Sequence, residues 1–216
     1  MPRFDAVLFD LDGTLLDSIE LILASYRHTL ARHGLSCPDD ALILEGLGTP
    51  LEAGLRRWAS DASAVPAMVE TYVAHNLAHH DAMVRPYDGV CELVCALRDE
   101  GTKLAVVTSK RRRGTLLGLA AIGLESSFDA LVCAGDTPRA KPHPDPVQHA
   151  LALLEVPRER AVFVGDSTHD MEAGRAAGVH TAAVLWGPFS RAALEATRPS
   201  AVAGDAAELR AYLLGA

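Results

Sequence analysis

The sequence predicts an α/β protein: a doubly wound parallel sheet with an all-helical insertion after its first strand. Three observations carry this reading. From residue 86 onward, short apolar runs alternate with segments of helical length. An earlier apolar run, Ala6 to Phe9, stands alone near the start and stops at Asp10-Leu11-Asp12-Gly13-Thr14. Between Asp17 and Arg85 only helical periodicity occurs.

Ala6 to Phe9 has the uninterrupted apolar character of a strand buried on both faces of a parallel sheet. Asp17 to His33 follows with apolar residues at helical spacing, and Gly34 is its stop signal. Pro38 to Arg85 contains three helical segments near Asp40–Gly46, Pro50–Ser60 and Val65–His80, which we read as a lid over the sheet. Gly46-Leu47-Gly48-Thr49-Pro50 interrupts them, either as a substrate-facing loop or as a plain helix–helix turn. His75, His79 and His80 lack a third metal ligand at convincing spacing and read as a solvated helix face.

After Arg85 comes a helix to about Glu100, ended by Gly101, then a strand at Lys103–Val107 and a helix at Arg112–Ile122. A strand at Ala130–Cys133 and a helix at Pro146–Leu154 precede a strand at Ala161–Val164. The next helix ends near Gly178, a strand covers Thr181–Leu185, and a short helix lies at Arg191–Ala196. An edge strand at Ser200–Ala203 and a helix at Asp205–Leu214 close the chain. Right-handed crossovers place such helices on both faces of one parallel sheet.

A chain of 216 residues can bury one sizeable core. A formal charge of −8 and a pI near 5.5 argue against a nucleic-acid or anionic-membrane surface, but not against a small anion held by a metal and local cations. No long uncharged apolar run is present, so no membrane span is expected, and Asp5, Asp10 and Asp12 break up any signal-peptide pattern. Cys37, Cys91, Cys95 and Cys133 form no CxxC pair and read as reduced thiols of a cytoplasmic protein. No feature chooses between monomer and homodimer.

The chemistry lies where the strands end. Asp10 and Asp12, one residue apart at a strand terminus, share a side and would repel unless a hard cation offsets their charge. Thr108-Ser109-Lys110, Lys141-Pro142 and Asp166 with Asp170 follow later strands. In a parallel sheet the carboxyl ends converge on one crevice, and each group has a use there in phosphoryl transfer. Asp10 is the candidate nucleophile and Asp12 the general acid and base. Asp166 and Asp170 supply oxygens for Mg²⁺. Thr108, with nearby backbone N–H groups, can hold phosphate oxygens, and Lys141 supplies a fixed positive charge. Gly13 lets the chain turn out of the strand and, with Ser109 and Lys110, faces the phosphate.

These motifs, in this order and spanning nearly the whole chain, resemble the haloacid dehalogenase-like hydrolase superfamily. The resemblance implies a Rossmann-like core formed by residues 1–15 and 86–216, with a helical cap at 16–85. It implies Mg²⁺ bound by Asp10, the backbone carbonyl of Asp12 and Asp166, with Asp170 in support. It also implies phosphate contacts from Lys141 and Thr108. The second carboxylate, Asp12, resembles the phosphate-handling members, and Asp-Gly-Thr is closer to phosphatases than to sugar phosphomutases. Pro86-Tyr87-Asp88-Gly89-Val90, Lys141 to Val147 and Val184-Leu185-Trp186-Gly187-Pro188 look like the phosphoglycolate phosphatase and bacterial pyrophosphatase branch, although Asp88 stands where many relatives carry proline. The expected substrate is a small phosphorylated metabolite such as phosphoglycolate, with pyrophosphate as the alternative. A phosphomutase and a non-catalytic phosphate-binding protein remain behind these. Gly46–Pro50, Arg56, Arg57, Arg85 and Lys110 are the candidate substrate contacts on and around the cap.

Overall fold

The computed structural model describes residues 3–215. β1 (Ala6–Phe9) is buried throughout, and its side chains alternate between the two faces of the sheet. Val7 and Phe9 join one apolar cluster, while Ala6 and Leu8 join another on the opposite face. The chain then leaves the sheet through β2 (Leu16–Asp17) and returns through β3 (Arg85–Pro86), two short strands paired antiparallel to each other. This paired neck was not expected from the sequence, because two-residue strands carry no periodicity.

Between β2 and β3 lie α1 (Ile19–Arg32), α2 (Asp40–Leu44), α3 (Leu51–Arg56) and α4 (Val65–Met83). Their apolar faces bury one another: Tyr26 and Leu30 of α1, Ile43 of α2, Leu55 of α3, and Met68 and Tyr72 of α4 form a cluster of their own. Arg56 and Arg57 are exposed, and Arg57 pairs with Glu45 at 3.6 Å. The guanidinium of Arg85 donates to the carbonyls of Asp81, Ala82 and Val84, where it closes the end of α4. His28, His75 and His79 stack in a row with centroids 4.4 and 4.2 Å apart. His80, expected on a solvated face, is instead 2% exposed, because α4 turns that side toward the sheet domain near Gly118.

The remaining chain alternates as expected: α5 (Val90–Asp99), β4 (Lys103–Val107), α6 (Arg112–Ala121), β5 (Ala130–Val132), α7 (Asp145–Leu154), β6 (Ala161–Gly165), α8 (Thr168–Ala177), β7 (His180–Val184), α9 (Arg191–Ala196), β8 (Ala201–Ala203) and α10 (Ala206–Leu214). The six parallel strands run in the order β5-β4-β1-β6-β7-β8. α5 and α10 cover the Val7/Phe9 face, and α7 and α8 cover the Ala6/Leu8 face. The architecture is therefore the expected Rossmann-like doubly wound sheet with a helical insertion. β1 sits at its centre, in register with β4 (Phe9 opposite Val106) and β6 (Phe9 opposite Val164). Strand order reverses beside it, which opens the crevice where such sheets bind ligands. All four cysteines are free thiols. Among the described residues, no helix is long and apolar enough to cross a membrane.

Candidate active site

Each candidate group stands one step beyond a strand. Asp10 extends β1, its N–H still donating to the Val164 carbonyl at 2.9 Å, and Thr108 extends β4 with its N–H on the Val132 carbonyl. Asp166 follows β6, and Asp170 lies in the first turn of α8. Ser167 caps that helix: its hydroxyl accepts from the Asp170 N–H, while the Asp170 carboxylate accepts from the Ser167 N–H and hydroxyl. The capping box thus fixes Asp170 facing the crevice.

Lys141 binds the carboxylates together. Its ammonium, 1% exposed, lies 2.9 Å from Asp10 Oδ1 and 2.6 Å from Asp170 Oδ1, and also donates to the Val107 carbonyl at 3.3 Å. Asp166 accepts from the Thr14 hydroxyl on Oδ1 at 2.7 Å, and its Oδ2 is buried without a partner. Oxygens of Asp10, Asp166 and Asp170 all come within 4.8 Å of one another. Three buried carboxylates therefore face one buried ammonium, so with all three ionised two negative charges would be left without compensation. Burial in so dry a place raises the Asp10 carboxyl to about 7, against the opposing pull of Lys141 and with a further push from Asp170. Burial, followed by Asp170 and Asp10, also pushes Asp166 well above the carboxylate range. Burial alone would lower the Lys141 pKa, but Asp10 and Asp170 more than offset it and hold the ammonium charged.

This imbalance fits a divalent cation. The orphaned Asp166 Oδ2, the oxygen-only donor set and the missing two positive charges match a hard ion such as Mg²⁺. The site is also shaped by backbone. Gly13 has φ +89°, and a Cβ there would collide with the Asp166 carboxylate. Trp186 Nε1 donates to the Thr14 carbonyl at 3.0 Å and steadies the turn that presents Gly13.

Asp12 points away from this trio. Its Oδ1 accepts from Lys110 Nζ and from the Ser18 hydroxyl, both at 2.6 Å. Ser18 precedes α1 yet makes no cap bond, because its hydroxyl serves Asp12 instead. Ser109 donates to the Gly48 carbonyl at 2.5 Å and so joins the crevice to the loop of the helical insertion. Arg111 pairs with Glu52 across the same junction. The Gly46–Pro50 loop therefore faces the site, while Arg56, Arg57 and Arg85 do not line it. Thr14 and Trp186 stand within sequence motifs, but nothing in the sequence assigns them, or Ser18, a role at the site. A hydroxyl next to a carboxylate motif carries no distinct signal, and the Trp186 contact spans 172 positions.

Above Asp10 and Asp12 lies a cavity of about 370 Å³, closed by α1, α4 and the Gly46–Pro50 loop. Thr108, Ser109 and Lys110 line its near wall, and Lys141 lies behind Asp10. The Asp10 carboxylate, a second carboxylate on the same cavity, the buried acidic trio and a fixed ammonium thus converge from separate stretches of chain.

Comparison with known proteins agrees with this geometry. The family model for haloacid dehalogenase-like hydrolases matches residues 7–184. The pyrophosphatase PpaX of Halalkalibacterium halodurans is 43% identical over 184 residues, covering 84% of each chain. Among solved structures, a haloacid dehalogenase-like family hydrolase from Streptococcus pneumoniae superposes with a TM-score of 0.86 at 26% identity, covering 97% of this chain and 98% of that one. A predicted phosphoglycolate phosphatase from Haemophilus somnus shares the fold at 24% identity, with a TM-score of 0.87 and 97% of each chain covered. With the motif order, the sheet and these likenesses in agreement, the chain belongs to the haloacid dehalogenase-like hydrolase family.

Proposed function

We propose that this enzyme is a Mg²⁺-dependent phosphatase that hydrolyses a small phosphomonoester through an aspartyl-phosphate on Asp10. Residues 16–85 would act as a cap over a core of 1–15 and 86–216. The observation that carries the reading is the buried carboxylate trio with two uncompensated charges beside a cavity that Asp10 itself lines. Asp10, Asp166 and the backbone carbonyl of Asp12 would hold the cation, supported by Asp170. Bound there, Mg²⁺ offsets the repulsion between an anionic phosphate and an anionic nucleophile.

The residues divide the rest of the work. Lys141 orients Asp10 through the 2.9 Å contact and adds positive charge where equatorial phosphoryl oxygens gather. An Asp10 oxygen forms the bond to phosphorus as the ester P–O bond breaks, and Asp12 gives its proton to the departing alkoxide. Lys110 and Ser18 both hold Asp12 by Oδ1, which leaves Oδ2 as the oxygen that exchanges the proton. Asp12 then takes a proton from water as that water attacks phosphorus, releasing phosphate and restoring Asp10. Thr108 and the N–H groups after β4 hold phosphoryl oxygens, and Gly13 gives the phosphate room to approach.

A second reading, inorganic pyrophosphatase with the same core chemistry, is favoured by the 43% identity to a protein named pyrophosphatase. Phosphate release from a panel of phosphomonoesters and pyrophosphate, with Mg²⁺ and with chelator, tests both. Activity that needs Mg²⁺ and vanishes in Asp10→Asn supports the mechanism. Turnover in that variant, or without any divalent cation, would refute it.

A further inference from the structure

Resting on that reading, the shape of the cavity narrows the leaving group. Its far wall is built by Ile22, Tyr26, Ile43, Leu47, Tyr72 and Leu77. Tyr26 and Tyr72 meet edge to face at 5.2 Å, and both side chains are buried. Gly54 makes room for this arrangement, since a Cβ there would collide with the Tyr26 hydroxyl. Burial raises the Tyr26 phenol to about 12 and the Tyr72 phenol well above its ordinary value, so both stay neutral. The cations of the lining are engaged: Lys110 with Asp12, and Arg111 with Glu52. Among the described residues of the lining, only Arg113 has no ion partner, and it is exposed at the rim. The same lining contains two further acids, Asp12 and Glu52. A second phosphate or a carboxylate on the leaving group would therefore enter an apolar wall whose one unpaired cation among the described residues, Arg113, is exposed to solvent. Volume points the same way, since about 370 Å³ falls within the range of drug-sized ligand sites.

We propose that the physiological ester carries an uncharged, largely apolar alcohol or phenol, of about six carbons or one ring, packed against the Tyr26–Tyr72 wall.

The test is a homologous series of alkyl phosphates from methyl to hexyl, with phenyl phosphate, phosphoglycolate and pyrophosphate, assayed for kcat/KM with Mg²⁺. Burial of one methylene is worth about 0.8 kcal/mol, so kcat/KM should climb up to about fourfold per carbon. Hexyl and phenyl phosphate should exceed phosphoglycolate and pyrophosphate. A series flat in chain length, or either competitor with a second anionic group outrunning hexyl phosphate, would overturn the proposal. Leu77 lines the cavity outside the apolar clusters, so Leu77→Asn should fold and should flatten the hexyl-to-methyl ratio. Calorimetric binding of hexylphosphonate against methylphosphonate to the wild-type enzyme separates the two ideas. No hydrolysis of any ester would sink the phosphatase reading, whereas equal affinity for the two phosphonates would sink the apolar pocket.

Discussion

Without a divalent cation in its acidic trio, this protein should become less stable as pH rises, the reverse of ordinary acid denaturation. The burial that lifts Asp10 to about 7 in the folded chain is absent in the unfolded chain, where its value is 3.8. Between those values the folded state holds a proton that the unfolded state has lost. The stability it contributes is complete at low pH and disappears as pH climbs through 7. Each pKa unit is worth about 1.36 kcal/mol, so the interval from pH 5 to pH 8 should remove about 2–3 kcal/mol. Asp166, raised by burial and its acidic neighbours, adds in the same direction. His75 and His169, both lowered chiefly by burial, act oppositely, so the comparison must cancel them. Asp10→Asn keeps both histidines and loses the Asp10 titration. In chelator, urea denaturation of wild type and variant should show the wild type losing about 2–3 kcal/mol relative to the variant from pH 5 to 8. At about 2–4 °C per kcal/mol for a chain of this size, that is a gap in Tm of about 5–10 °C. Saturating Mg²⁺ should abolish the trend. A wild-type-to-variant difference independent of pH in chelator would show that the Asp10 pocket is wetter than its burial implies, and would refute the charge argument for the cation.

Four further outcomes follow from the same contacts. Lys141→Ala leaves Asp10 and Asp170 facing each other without the 1% exposed ammonium. It should cost about 3–5 kcal/mol in chelator at pH 8 by urea denaturation, and less at pH 5. Gly13→Ala puts a Cβ into the Asp166 carboxylate at φ +89°, so calorimetry should find Mg²⁺ affinity lowered about tenfold or more. Asp10→Asn should lower kcat for phosphate release by at least about 10⁴-fold. Arg111→Ala removes an ion pair whose side chains are 61% and 44% exposed, and should change stability by less than about 0.5 kcal/mol.

The sheet was readable because burial on both faces writes itself as unbroken apolar runs, and Lys103–Val107 begins and ends where its periodicity says. The convergence of Asp10, Thr108, Lys141, Asp166 and Asp170 was readable for a related reason. Parallel strands send all their carboxyl ends to one side, so residues far apart in sequence need no contact information to be placed together. The antiparallel neck of β2 and β3 was not readable, because a two-residue strand is defined by a partner 68 to 70 positions away. The helical insertion between β2 and β3 was legible as helices but not as a surface. Arg56 and Arg57 turn outward and Arg85 closes α4, whereas Tyr26 and Tyr72, which no motif marks, line the cavity. Which face of a helix turns inward depends on what the neighbouring helix covers, and the buried sides of α1 and α4 are fixed only when the two meet.

That difference separates reaction from substrate in this chain. The chemistry of phosphoryl transfer needs charge at fixed points, and charge in a dry crevice is so costly that the backbone is shaped around it. Gly13 yields to Asp166, Ser167 clamps Asp170, and Ser18 gives up a helix cap to hold Asp12. Gly13 and Ser167 sit inside the short motifs that carry the crevice carboxylates, so these constraints surface as motifs, whereas that of Ser18 does not. The leaving group is met instead by apolar side chains that also build the core of the cap; Ile22, Tyr26, Ile43 and Tyr72 belong to both. A residue that packs a core and one that lines a pocket are under the same demand for size and apolarity, and the sequence does not distinguish them. A relative could therefore keep every charged residue of the crevice and still take a different alcohol by exchanging one apolar cap residue for another.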